Sequence, residues 1–287
     1  MILGTVAEIW RYPVKSMVGE RLETCSLGEL GVPGDRGWAV RDETAEEIRN
    51  ARKLPALLLC AATYPNEPKD GGVPAVEIRL PDGQRIASDA PDVSERLSDL
   101  LGRPVTLWPR RPPEDVAHYR RGRPDQPDFE REIRQIMDRL DDEPLPDFSA
   151  YPPDLLRFAC PPGTYFDSFP VSVVTTASLR WLQQLQPGAD ADVRRFRPNF
   201  VIDTDAGRVG AIEADWCGRE LRIGQARLRI EMPTVRCAIP AREQRNLVAD
   251  RRVLRTIVNQ MDQNLGAYAS PTVAGEVAVG DSVELVD

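Results

Sequence analysis

A mainly β fold with a few helices (α+β) is what this chain of 287 residues predicts. Three observations carry that expectation. Apolar and polar residues alternate in short runs such as Arg21-Leu-Glu-Thr-Cys-Ser-Leu27, glycine and proline punctuate the runs, and helical periodicity is confined to a few stretches. The length suits one large or two ordinary domains with a sizeable core, and two are expected.

The chain opens on a strand-like run over residues 1–9, and the alternation continues to about residue 65. Short strands follow at 75–80 and 85–87 around the turn Pro81-Asp-Gly83, then a helix over 92–101 that Gly102 ends, then a strand at 105–108. Residues 111–163 change character, being dense in proline and charge, which predicts a linker or insertion. Within it Phe129, Ile133, Ile136, Met137 and Leu140 recur at helical spacing, so an amphipathic helix is expected to pack there.

From residue 164 the β pattern resumes with a strand at 171–174. A helix capped by a hydroxyl of Thr175-Thr-Ala-Ser178 runs to about 185, and a strand covers 199–203. Residues 221–230 form a hairpin, with Gly224-Gln225 as a type II′ turn, whose second strand runs into Met232-Pro-Thr-Val-Arg-Cys-Ala-Ile-Pro240. A helix over 250–261 and strands at 267–270, 275–278 and 282–286 finish the chain. The expected organisation is 1–110, 111–163 and 164–287.

Composition narrows the function. Net charge is −8 with scattered basic residues, so the electrostatic footprint of a nucleic-acid binder is missing. The longest apolar run, 54–62, is under half the roughly 20 residues of a spanning helix, so no membrane insertion is expected. With no cationic, apolar leader at the start, a soluble, cytoplasmic protein is the expectation. Cysteines 25, 60, 160, 217 and 237 form no Cys-x-x-Cys pair and His118 is the sole histidine, which argues against a disulfide framework, a zinc site and a His-based triad. Demanding chemistry would then need a bound cofactor or a lone thiolate.

Tyr12-Pro-Val-Lys-Ser16, Gly34-Asp-Arg-Gly-Trp38, Arg195-Phe-Arg-Pro-Asn199, the Cys237 stretch, Gln263-Asn-Leu265 and Val279-Gly-Asp-Ser-Val283, in that order, resemble the MOSC proteins. This family is related to the C-terminal domains of molybdenum cofactor sulfurases and includes the mitochondrial amidoxime-reducing components. The resemblance covers nearly the whole chain and implies a MOSC-type β-barrel preceded by an N-terminal β-rich domain. It implies the molybdenum cofactor, Mo-molybdopterin, with Cys237 as the metal ligand and catalytic residue. A soft thiolate suits molybdenum, and adjacent Arg236 would help hold it deprotonated.

By the same resemblance Lys15, Ser16 and Arg36 contact the cofactor phosphate, with Arg52 near it. Arg197 and Asn199 hydrogen-bond the pterin, and Asn264 lies in the same pocket. The helix start at Thr176 and Ser178 would aim free amides at an anion if it faces the site. Two departures from the amidoxime-reducing relatives stand out: Thr176 where they carry an acid, and Pro240-Ala-Arg-Glu-Gln244 after the cysteine. Either water or another carboxylate, such as Glu231 or Glu243, would then have to supply protons.

The activity so implied is reduction of an N-hydroxylated or N-oxide-like small-molecule substrate. The chain has no nicotinamide or iron–sulfur motif, so a separate electron-donor protein is expected. The family also carries an association with pyridoxal phosphate binding. Two alternatives stay open at this point: a sulfur carrier or cofactor-binding module using a Cys237 persulfide without redox turnover, and a cofactor-free scaffold.

Overall fold

In the computed structural model, which describes residues 1–68 and 72–286, the centre is a closed barrel of seven strands. These are β1 (Ile2–Arg11), β2 (Val171–Thr175), β3 (Phe200–Thr204), β4 (Glu220–Ile223), β5 (Ala226–Val235), β6 (Asn264–Val273) and β7 (Ser282–Val286). Around the wall the order is β3-β2-β6-β5-β4-β7-β1, and β1 pairs back onto β3 to close it. Closure leaves no unpaired edge among these strands. The first strand of the chain is thus a stave of the same barrel as the last.

Alternation fills the interior: Val171 and Val173, Phe200 and Ile202, Leu221 and Ile223, Leu228 and Ile230, and Val283 and Leu285 all point inward and are buried. Each such side chain contributes roughly 1.5–3 kcal/mol by leaving water. In β1 the buried residues Leu3, Val6 and Ile9 are three apart, because the register against β3 shifts between Val6 and Glu8. Gly4 is required where it stands, since a Cβ there would lie 1.9 Å from the Asp203 carbonyl oxygen.

All neighbouring pairs in the barrel are antiparallel except β2 and β3, which run parallel with Val173 opposite Phe200 and Thr175 opposite Ile202. Parallel neighbours need a long connection. The N-terminal region adds a second core around Val40, Leu57, Ile78 and Leu97, built on small sheets and helix α1 (Val93–Leu101), which Gly102 ends at positive φ. In the β4–β5 hairpin Gly224 takes the positive φ expected of its turn.

Three expectations are refined. The helix in the proline-rich segment, α2 (Phe129–Met137), ends short of Leu140 because Asp138 turns left-handed; Asp128 caps its start through the Glu130 and Arg131 amides. Of linker and insertion, that segment is a packed insertion, since its Tyr119, Phe158 and Cys160 are buried against Ala39 and Ile48. Strand β6 is longer than residues 267–270. Helices α3 (Thr176–Leu185) and α4 (Arg251–Gln260) fall where the periodicity puts them, and Thr175 caps α3 as expected. Among the described residues no helix is long and apolar enough to cross a membrane.

Candidate functional site

Two loops of the N-terminal region are stitched together beside the barrel mouth. Lys15 donates its amide to the Trp38 carbonyl, Trp38 to Pro13, and Arg36 to Tyr12, while the Asp35 carboxylate accepts the Tyr12 amide at 2.7 Å. Tyr12 is buried, and its ring is the platform on which the Arg36 and Arg197 guanidinium groups lie, 4.8 Å and 4.3 Å from its centroid. The pocket that results is lined by Lys15, Ser16, Arg36, Arg197, Asn199, Arg236 and Cys237, so seven sequence-predicted residues from four separate motifs converge.

Backbone strain concentrates there. Ser16, Arg36 and Arg197 all take positive φ, a costly choice for side-chain-bearing residues that clusters at functional sites. The Ser16 hydroxyl accepts the Ala51 amide at 2.8 Å and so fixes the turn that carries Arg52. Arg52 itself is tied to Asn50 at 3.2 Å and lies 3.9 Å from Asp167, beside the pocket.

The cations are incompletely partnered. Arg197 gives one nitrogen to the Met17 carbonyl at 2.7 Å, and Arg236 gives two to Leu265 and Phe196 carbonyls, yet each keeps a buried Nη2 without a hydrogen bond. Burial pulls the Arg197 pKa down to about 10 and lowers that of Arg236 as well. Thr234 Oγ1 is a third buried orphan lining the same space. Orphaned buried donors are costly, so their convergence marks a place where an anion with several acceptors would fit.

Lys15 by contrast is satisfied by the Tyr165 carbonyl and by Asp167, 2.8 Å and 2.7 Å away. Burial alone would raise the Asp167 carboxyl, but Lys15 and then Arg52 outweigh it and hold it well below the usual carboxylate range. Asp167 is therefore the resident counter-ion of this cationic cluster. Sequence reading missed it, along with Tyr12 as a platform and Tyr268 and Thr234 as lining residues. Charge balance was the available signal for Asp167, because a buried lysine needs a carboxylate.

Cys237 follows β5 and is partly buried against Ala51, Leu58 and Ile239. Arg52, Arg139, Arg236 and Arg242 lie close enough to be influenced by its charge. The stretch after it is held down by Arg195, which reaches the Pro240 and Arg242 carbonyls, and by Arg242, which donates to the Ala51 and Arg52 carbonyls. Among the described residues no group of three His, Cys, Asp or Glu could hold a metal on its own.

Not every candidate joins the site. Thr176 bonds Asp203 at 2.9 Å and accepts the Thr204 amide, while Ser178 bonds Glu213 at 2.7 Å; neither lines the pocket. Parallel pairing is the reason. Ser172 and Asn199, at the N-terminal ends of β2 and β3, face the pocket, whereas Thr176 and Thr204 lie at the opposite ends, about 13 Å away for four extended residues. The Thr176 departure thus gives no reason to expect altered proton delivery. Asn264 bonds the Asp262 carbonyl at 2.5 Å and is also outside the lining.

Asn199 does line the pocket, but its side chain is occupied by the Ser172 amide and the Trp10 carbonyl, tying β1, β2 and β3 together. Glu231 pairs loosely with Arg229 and Glu243 is exposed on a separate open groove, so neither carboxylate lines the Cys237 pocket.

The MOSC N-terminal beta barrel domain model matches residues 3–118 and the MOSC domain model residues 162–284. No curated protein matches. Among solved structures, the YUAD protein from Bacillus subtilis is 11% identical, with 98% of this chain and 94% of that one covered and a TM-score of 0.43. YiiM from Escherichia coli is 16% identical, with 42% of this chain and 55% of that one covered and a TM-score of 0.30. These structural likenesses are too low to carry argument. Nothing in the comparisons supports pyridoxal phosphate binding.

Proposed function

Since the chain belongs to the MOSC family, which is associated with molybdenum-cofactor binding, we propose that it is a molybdenum-cofactor oxidoreductase acting on N-hydroxylated or N-oxide-like small molecules. The observation that supports this most directly is the pair of buried, incompletely bonded guanidinium groups, Arg197 and Arg236, sharing one pocket with Cys237. Their fit to the cofactor is chemical: orphan donors for a phosphate and polar pterin, and a thiolate for the metal. When bound, the cofactor supplies the two-electron chemistry.

The chain's own residues then have distinct tasks. Lys15 and Arg36 hold the phosphate, with Ser16 shaping the loop. Arg197 and Arg236 complete their hydrogen bonding on the ligand, and Arg52 adds field at its edge. Cys237 Sγ is the single protein ligand, fixed by the Arg195 and Arg242 clamps on the loop behind it. Electrons come from a separate donor protein, since the sequence has no nicotinamide or iron–sulfur motif.

The test is turnover with reduced viologen in place of the donor, across N-hydroxylated compounds and N- and S-oxides. Cofactor-loaded protein is expected to oxidise viologen with at least one of them. No turnover by protein proven to hold molybdenum would favour the sulfur-carrier or binding-module alternative.

A further inference from the structure

Two carboxylates stand among the cations of the pocket, and they are held very differently. Asp35 is buried, accepts the Tyr12 amide at 2.7 Å and pairs with Arg36. It belongs to the frame. Asp167 is the exposed one among the lining residues, with 43% of its side chain open to solvent. Donors from two loops of the N-terminal region gather on a single oxygen, Asp167 Oδ1: Lys15 Nζ at 2.7 Å, Asn50 Nδ2 at 3.5 Å and Arg52 Nη2 at 3.9 Å. Convergent cations and amides around one acceptor oxygen are what a phosphate oxygen also asks for.

The carboxylate can leave this place without unfolding anything. Tyr165 and Phe166 before it are buried, and Phe169 after it packs on the Tyr268 ring with centroids 5.6 Å apart, so the main chain is anchored on both sides. Release then takes a rotamer change of one side chain rather than the opening of a loop. Lys15 cannot follow, because its side chain is 5% exposed and its amine is also held by the Tyr165 carbonyl at 2.8 Å. The cavity is narrow, about 90 Å³. Pockets that hold drug-sized ligands run to roughly 300–1,000 Å³, so a ligand enters as a lining group gives way.

We propose that Asp167 is an internal stand-in for a ligand's phosphate: its Oδ1 takes the place of a phosphate oxygen on Lys15 and Arg52, and a phosphate monoester binds by turning it out into solvent. A dianion and a carboxylate cannot share the Lys15 amine at hydrogen-bond distance without strong repulsion in a partly desolvated site. With Asp167 turned out, Lys15 and Arg52 join the orphan Nη2 donors of Arg197 and Arg236 in one anion site. The native chain therefore binds phosphate more weakly than its cations alone would, by the fraction of time that Lys15 is free of the carboxylate. That the phosphate is a cofactor's rests on the oxidoreductase reading above; the exchange of one anion for another does not.

The experiment is titration calorimetry on metal-free full-length protein at constant ionic strength, with inorganic phosphate and with phenyl phosphate. Asp167→Asn keeps the size of the side chain and an acceptor for Lys15 but removes the charge, and it is expected to tighten binding of both probes about tenfold. Asp167→Ser removes the charge with a smaller group and is expected to do the same, since Lys15 keeps its Tyr165 bond in either variant. Adding Lys15→Met to Asp167→Asn should erase the gain.

Unchanged or weaker binding in both Asp167 variants overturns the stand-in, as does a gain that survives Lys15→Met. A gain for inorganic phosphate that phenyl phosphate does not share overturns the assignment to a phosphate monoester. A gain with both probes in a chain that never takes up molybdenum keeps the exchange and defeats the oxidoreductase assignment alone.

Discussion

Cys237→Ser is expected to abolish the proposed molybdenum-dependent turnover, with a loss of more than about 100-fold and most of the bound metal gone. The thiolate is the one soft ligand the chain offers in this pocket, and a serine hydroxyl stays protonated at neutral pH and binds a sulfur-coordinated metal poorly. The fold should not suffer, because Cys237 is only partly buried and the change is nearly isosteric. Metal analysis and viologen turnover check the loss, and Cys217→Ser, outside the pocket, serves as the control that keeps both. Retained metal and turnover in Cys237→Ser would mean that the cofactor is held elsewhere.

Arg197→Met is expected to weaken cofactor retention about 10- to 100-fold without lowering the melting temperature of the metal-free protein. Retention falls because charge-assisted hydrogen bonds, each worth roughly 1.5–3 kcal/mol, are lost. The stability half follows from the lowered pKa, about 10 against an ordinary 12.5. The unfolded chain binds this proton more tightly than the folded one, so the charge penalises folding below about pH 10, and the penalty is relieved as pH rises through that value. On the order of 1–3 kcal/mol is at stake after allowing for partial solvation, and methionine removes it while retaining contact with Tyr12. Dialysis retention and apo melting curves check the two halves. A sharp drop in apo stability would assign Arg197 to a structural role.

Much of this was legible because it was local. Alternation placed the strands, Gly224-Gln225 the hairpin, and the hydroxyls at 175–178 the start of α3. The convergence of Lys15, Arg36, Arg197, Arg236 and Cys237 was reachable only through the ordered motifs. What could not be read was what depends on pairing across the chain. The joining of β1 to β3 links Gly4 to Thr204, and no periodicity announces such a contact. Which way the start of α3 faces could not be read, because the parallel run of β2 and β3, unknown from sequence, sends Thr176 to the end of the strands away from the pocket. Asp167 was passed over because a carboxylate in a loop looks like surface until the buried amine beside it is seen. The proline-rich segment stayed open between linker and insertion, since proline and charge describe both, and only the helical spacing from Phe129 pointed to packing.

The molybdenum and pterin content of wild-type protein purified from a cofactor-competent host tests the central claim most directly. Close to one molybdenum and one pterin per chain is the expected result. Protein free of both would contradict the account, and a one-sulfur mass gain on Cys237 without molybdenum would point to sulfur carriage instead.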